Sequence, residues 1–394
     1  MGVDNYRFLL YLIVEMLNTQ VRNPLGLIIL PGFGDRGKAV VEHIRSLRGD
    51  SDNALDYIID TEFRSFSDGA RKVVIKESIR GKDLFILGDV TNYDCTYNIH
   101  GHQNRMSPYD HYQDYRNVLS AAVPSGAARH NIIMPFLIDG RQHRRNMRES
   151  LNCAHALQEL RRYNRVENII TVDAHDPEIQ NAVPDMGFHN MYPSYTLLKH
   201  YLKDEKESGK LFEPHDRMIL APDEGAAQRA KKYARFIGAS MGMFYKERDI
   251  NTSEIIEHVY VGGSLEGKRV LIVDDMIASG KSIIDVAHQA KQRGAEDISA
   301  MTAFGLFTNG FEEFKEAHKK GMLDRVYCTN LSHIPTDKVQ EHSQWLTVVD
   351  GTKMIAKVVD ALNKSESVTD LYSAPQQKLL PMANGSYSEI TNGG

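Results

Sequence analysis

Short apolar runs alternating with helical patterns leave this chain little choice of fold. Leu27–Leu30, Asp83–Leu87, Asn131–Pro135, Ile169–Val172, Met218–Ala221 and Val270–Val273 read as buried strands. Helical periodicity follows several of them, in Lys38–Leu47, Leu151–Tyr163, Ala227–Ile237 and Ser282–Gln292. That alternation predicts an α/β fold with largely parallel sheets flanked by helices. A length of 394 residues exceeds one ordinary core and predicts two domains with extensions. The expected division is an N-terminal extension over 1–24, domains over 25–192 and 193–364, and a largely disordered tail over 365–394, where Ser, Asn, Gln and Gly accumulate. The boundary falls at Tyr192–Pro193, before a helix predicted over Ser194–Leu202, with Lys203–Pro214 as a polar surface connection.

Composition excludes more than it assigns. A formal net charge of -5 gives no support for nucleic acid as partner. Cys95, Cys153 and Cys328 are far apart and form no CxxC pair, so metal cages and disulfide frameworks are unsupported and a reducing, cytoplasmic compartment is expected. The apolar run Phe8–Val14 is cut by Glu15, well short of the roughly 20 residues a membrane span needs. No membrane partner is expected, and residues 1–24 read as an added packing helix.

Two motifs mislead. Gly32-Phe33-Gly34-Asp35-Arg36-Gly37 has the dinucleotide spacing after a strand, but neither Asp56 nor Asp60 closes a convincing second strand; a plain glycine turn is expected. Gly280-Lys281-Ser282 resembles the end of a Walker A loop, but its first glycine would fall on Asp275, where a carboxylate opposes phosphate.

The informative stretch is Val270–Ser282: a buried strand, two acids, a small-residue turn and a helix start. Asp274 and Asp275 can accept hydrogen bonds from two neighbouring sugar hydroxyls. Ala278, Ser279, Gly280, Lys281 and Ser282 offer backbone N–H groups, hydroxyls and a helix N-terminus, an anion hole for a sugar phosphate. An ordinary strand–turn–helix with capping acids is the alternative, weakened because acids and cradle share one strand end, where such folds bind ligands.

This element resembles the phosphoribosyl loop of phosphoribosyltransferases and phosphoribosyl diphosphate synthetases. Further segments separate those families: Phe66-Ser67-Asp68-Gly69, Glu77–Asp83, Arg141-Gln142 with Arg144, Arg145 and Arg148-Glu149, Asp173-Ala174-His175, Ala221–Gly225 and Lys246-Glu247-Arg248. In that order, over roughly residues 25 to 375, they are similar to the ribose-phosphate diphosphokinase (PRPP synthetase) family. The resemblance implies two tandem phosphoribosyltransferase-like domains, the first binding ATP and the second ribose 5-phosphate. It implies a magnesium-dependent transfer of diphosphate from ATP to O1 of ribose 5-phosphate, with AMP leaving, for nucleotide biosynthesis. By resemblance, Lys246 and Arg248 are catalytic on a flexible loop, with Arg248 also touching the sugar phosphate. Phe66, Asp68, Gly69, Ala70, Arg141, Gln142 and His175 contact ATP, with Phe66 stacking near the adenine from a neighbouring subunit. His175 and Asp223 hold magnesium, and dimers build a hexamer.

The chain departs from the pattern where Ala70 replaces an acid that would accept from the adenine amino group. It departs again at Ala278-Ser279 and Lys281 in the ribose loop, at Leu137–Gly140, and in an insert over Thr91–Tyr115 read as a solvated polar loop. His100, His102 and His111 in that insert have unconvincing metal-ligand spacing. Two rival readings follow: a catalytically silent regulatory paralogue, favoured by Ala70 and opposed by the retained Lys246, Arg248, His175 and Asp223, and a phosphoribosyltransferase, which needs neither Arg141-Gln142 nor a tandem second domain.

Overall fold

The computed structural model describes residues 23–49, 56–209, 213–248, 255–369 and 371, with the side chains of 246–248 and 255–258 excepted. The predicted packing helix before Asn23 and the tail beyond Leu371 lie outside the described residues.

The order along the chain is β1 (Leu25–Ile29), α1 (Gly34–Arg48), β2 (Thr61–Ser65), β3 (Arg71–Ile75), β4 (Asp83–Leu87), β5 (Thr96–Ile99), β6 (His102–Arg105), α2 (Pro108–Ala122), β7 (Arg129–Ile133), α3 (Asn152–Arg162), β8 (Asn168–Val172), β9 (Gly187–Met191), α4 (Ser194–Glu207), β10 (Arg217–Ala221), α5 (Ala227–Ile237), β11 (Ser240–Arg248), β12 (Ile255–Val261), β13 (Arg269–Ile277), α6 (Lys281–Gln292), β14 (Ile298–Gly305), α7 (Glu312–Lys319), β15 (Arg325–Thr329), α8 (Thr336–Glu341), β16 (Leu346–Val349) and α9 (Thr352–Asn363). One sheet runs β1-β4-β7-β8-β9, all parallel. The other runs β12-β11-β10-β13-β14-β15-β16, parallel except for the β11–β12 pair. Central strands such as β4 and β10 are buried at every position, as parallel strands covered on both faces must be.

The two sheets share a core. Phe85, Ile133 and Ile170 of the first pack in one cluster with Met276 and Phe304 of the second and with Ile355 and Val358 of α9. The polar start of β4 is tied into the same junction. Buried Asp83 accepts from Arg129 Nε at 3.0 Å, Asn131 at 2.8 Å and Asn363 of α9 at 3.0 Å.

Several sequence expectations need correction. The insert over Thr91–Tyr115 is not a polar loop: it forms the β5–β6 hairpin and the first turns of α2. Ser107, Pro108 and Asp110 build a complete capping box there, which stabilises a helix start. Buried His111 contacts the Asn92 carbonyl at 2.7 Å through Nε2. Helix α4 runs on to Glu207, five residues past its predicted end, with a Lys203–Glu207 pair on its exposed side. The expected plain glycine turn after β1 is instead the start of a helix, since Gly34 and Gly37 lie in α1, and a Cβ at Gly37 would meet Ile29 Cγ2 at 2.5 Å.

Candidate active site

The C-terminal ends of β8, β10 and β13 open onto one polar cavity of about 980 Å³, the edge where parallel α/β sheets present ligand-binding loops. Residues from both sheets line it. Arg141, His143, Arg144, His175 and Asp176 come from the first half, and Asp223, Arg229, Asp274, Asp275 and Ala278–Gly280 with Ser282 from the second.

β13 reaches Ile277, further than its apolar run suggests, because Asp274, Met276 and Ile277 keep pairing with Thr302, Phe304 and Gly305 of β14. The two acids therefore stand on a fixed strand. After them the chain turns through Gly280 at φ +89° into α6. A Cβ there would fall 2.3 Å from Phe314 Cε2, so only glycine fits both the backbone and the space. The orphan N–H groups of α6 thus begin at the cavity wall, the arrangement that suits a phosphate.

His175 Nδ1 lies 2.8 Å from Asp275 Oδ2 and joins the two halves across the cavity. That hydrogen bond raises the His175 pKa against the opposing effect of burial. Burial pushes the Asp275 carboxyl up, but the bond from His175 and the charges of Arg229 and His175 outweigh it and hold it low. Asp274 moves the other way, well above the usual carboxylate range, through burial and the adjacent Asp275 charge. The acids thus form an asymmetric pair, one ionised and one protonated more readily.

Sequence reasoning missed Arg229. On α5 it falls at helical spacing with buried Ala226 and Tyr233, so it faces inward. Its Nε and Nη2 donate to both oxygens of Asp173 at 2.9–3.0 Å, and Nη1 lies 3.8 Å from Asp274. Asp173 is buried at φ +41°, a conformation that Asp tolerates better than most residues. The signal was an arginine on the apolar side of a helix; its partner could not be read from spacing. His143 was also missed, and lies 3.1 Å from Asp176.

The remaining predicted residues divide clearly. Gln142 lines a smaller neighbouring cavity. Lys281 is exposed at the start of α6 and does not line the main cavity. Phe66, Asp68, Gly69 and Ala70 form the tip of the β2–β3 hairpin, closed by Phe66 N donating to Ala70 O at 2.8 Å, and line neither cavity. Lys246 and Arg248 lie on the backbone of β11, and their side chains lie outside the described residues.

Magnesium suits this donor set in one form. Among the described residues no three acids, histidines or cysteines gather into a metal cage. Asp223 and His175 line the same cavity, and a hard cation that takes one or two protein ligands plus phosphate oxygens fits such a site.

A two-unit α/β fold with a sugar-phosphate-type loop on the second sheet defines a tandem phosphoribosyltransferase-like protein. Family models agree: the N-terminal domain of ribose phosphate pyrophosphokinase matches residues 52–163, and the phosphoribosyl transferase domain matches residues 189–341. The chain is 27% identical over 310 residues to the ribose-phosphate pyrophosphokinase of Mycoplasmopsis pulmonis, covering 78% of this chain and 87% of that one. It is 28% identical over 314 residues to that of Helicobacter hepaticus, covering 79% and 90%. The crystal structure of phosphoribosylpyrophosphate synthetase from Mycobacterium smegmatis shares its fold, with a TM-score of 0.70 at 21% identity, covering 87% of this chain and 99% of that chain. The protein belongs to the ribose-phosphate pyrophosphokinase family, as a divergent member.

Proposed function

We propose that the protein is a ribose-phosphate diphosphokinase, carrying the diphosphate of ATP to O1 of ribose 5-phosphate. One observation carries this reading: the acid pair and anion loop of the second sheet share a single cavity with Arg141, His143, Arg144 and His175 of the first. A phosphoribosyltransferase needs the former set but not the latter.

In this reading Asp274 and Asp275 accept from the 2- and 3-hydroxyls, and Ala278, Ser279, Gly280 and Ser282 cradle the 5-phosphate. Arg141, Gln142 and His175 hold ATP, with the Phe66–Ala70 hairpin of a second copy closing over it. The sugar O1 bonds to the β-phosphorus, the bond from that phosphorus to the bridging α–β oxygen breaks, and AMP leaves with that oxygen while O1 loses its proton. Positioning and charge neutralisation dominate such chemistry, and Lys246 and Arg248 supply cations as charge redistributes. Asp223 and His175 would hold magnesium with the nucleotide, and it would supply neutralisation of the triphosphate charge. Arg229, at the cavity wall, holds Asp173 by hydrogen bonds and stands near Asp274.

The test is direct. Purified protein incubated with ATP, magnesium and ribose 5-phosphate is expected to release AMP and 5-phosphoribosyl 1-diphosphate in equal amounts. Absence of AMP from folded protein that still binds ATP would favour a silent regulatory paralogue.

A further inference from the structure

The insert over Thr91–Tyr115 bridges the second half of the molecule and the tip of the β2–β3 hairpin. Its first residues meet the loop after β15. There His333 donates its backbone N–H to Thr91 Oγ1 at 3.1 Å, and its Nε2 lies 2.8 Å from Asp94 Oδ2. The His333 ring stands edge-on to Tyr93 at 5.4 Å. Thr91 carries this contact inward, its hydroxyl and N–H donating to Asp89 Oδ1 at 2.6 and 2.7 Å. Buried Asp89 pairs with Arg36 of α1 at 2.8 Å, and Arg36 donates to the Asn330 carbonyl at 3.1 Å. The start of the insert is thus tied into the meeting of the two halves.

A short arm leaves from that anchor. Met106 N donates to Cys95 O at 2.8 Å and closes its neck, and β5 pairs with β6 from Thr96↔Arg105 to Ile99↔His102. His100 and Gly101 make the turn, both at positive φ, the two-residue geometry whose twist matches that of paired strands. The far end touches the other hairpin. His100 N donates to Ser67 O at 2.8 Å, and Ile99 lies so close to Gly69 that a Cβ there would come within 2.6 Å of its Cδ1. Tyr97 of the arm lies 5.8 Å from the guanidinium of Arg71, which donates to both oxygens of buried Asp114 at 2.8 and 2.7 Å. A two-stranded hairpin is marginal by itself in water, so contacts at its two ends keep this one ordered. Those contacts share one ordering cost, and releasing either end weakens the other.

We propose that the insert is a strap that couples the seating of the second half at His333 to the placement of the Ser67–Gly69 tip. On the diphosphokinase reading, on which this consequence rests, the hairpin that one copy lends to another then depends on how the lender's own halves meet.

Hydrogen exchange on the full chain without nucleotide, followed in peptides spanning 61–75, 91–106 and 325–335, compares wild type with His333→Ala, His333→Gln and Ile99→Ala. Thermal unfolding of each variant is recorded beside it. In His333→Ala, exchange is expected to quicken about threefold or more at 91–106 and also at 61–75, the scale of a coupling carried by a few contacts. His333→Gln, whose amide can still donate to Asp94, is expected to recover part of that protection. Coupling is reciprocal, so Ile99→Ala is expected to quicken exchange at 325–335, where the His333 amide is bound. Exchange at 61–75 that keeps the wild-type rate while 91–106 opens overturns the strap, and so does a His333→Ala protein in which neither segment changes. Where His333→Ala lowers the global unfolding midpoint, Ile99→Ala carries the test, and an unchanged rate at 325–335 then overturns the proposal. A protein that releases no AMP yet shows the coupled exchange keeps the strap and loses the diphosphokinase reading; AMP release with uncoupled segments does the reverse.

Discussion

Asp274 and Asp275 are chain neighbours with opposite titration behaviour, and the difference lies in what each one faces. Asp275 takes its hydrogen bond from His175, while Asp274 has Arg229 at 3.8 Å and the Asp275 charge beside it. The raised His175 pKa means that this contact stabilises the fold fully below the ordinary imidazole range and that its contribution fades as pH rises through the raised value. The lowered Asp275 pKa stabilises above the usual carboxylate range and is lost as pH falls through the depressed value. Substituting Asp275→Asn removes the influence that raises His175 and leaves burial, Arg141 and Arg229, all of which lower it. An NMR titration of the metal-free variant is expected to place the His175 midpoint below the ordinary imidazole value of 6.5. The same variant should raise the KM for ribose 5-phosphate roughly tenfold with little change for ATP; an equal loss for both substrates would take Asp275 out of the sugar site. The acid pair and the loop after it were legible in the sequence because they are contiguous. The partners were not, since His175 and Asp275 are 100 residues apart and Arg229 and Asp173 are 56 apart, and only tertiary packing joins them.

Strands and helices were legible where burial and periodicity agreed. β4 and α5 match their predicted limits, each with unambiguous apolar patterning. β13 was read too short because its last four residues include two acids, yet ladder pairing with β14 continues through them; strand formation followed the neighbour, not local propensity. Helix α2 was hidden inside a polar insert, although Ser107-Pro108-Tyr109-Asp110 carried the start signal. The turn from β13 to α6 gives the sharpest test at this scale. Phe314, the side chain a Cβ on Gly280 would strike, is fully buried and stacked on Trp345 at 5.6 Å, so it has little room to yield. Gly280→Ala is therefore expected to cost on the order of 2 kcal/mol or more, from left-handed strain and overpacking together. Urea unfolding measures the cost directly. An unchanged midpoint would mean that the turn relaxes, and the rigid-cradle account of the anion loop would fall with it.

Among the described residues, contacts both at the cavity and far from it set how the halves of the molecule face each other. Far from the cavity, α9 returns from the second sheet to the first: Arg48 donates to Asp360 and Asn363 at 2.7 Å each, and Asn363 reaches Asp83. At the cavity, Arg229 of the second half neutralises Asp173 of the first and stands near Asp274. Burial there pushes Asp173 up, and Arg229 is the main opposing charge, with a smaller contribution from Lys232. Replacing Arg229 with leucine keeps side-chain bulk but leaves Asp173, Asp274 and Asp275 facing one another with little counter-charge. Removing one partner of a buried pair typically costs about 3–5 kcal/mol. The pH dependence has a definite sign. Without the guanidinium, the carboxyl pKa values of Asp173 and Asp274, already raised, rise further above their unfolded values, so the folded state binds more protons than the unfolded chain. Stability then falls as pH rises from the ordinary carboxylate range through the raised values. Urea denaturation of Arg229→Leu should show a deficit against wild type that is larger at about pH 8 than at about pH 5. Adding Asp173→Asn should recover part of it, because the most deeply buried charge is then gone. A deficit that does not vary with pH and that Asp173→Asn does not relieve would mean that Arg229 acts through packing alone, and that the cavity's charge balance does not depend on the contact between the two halves.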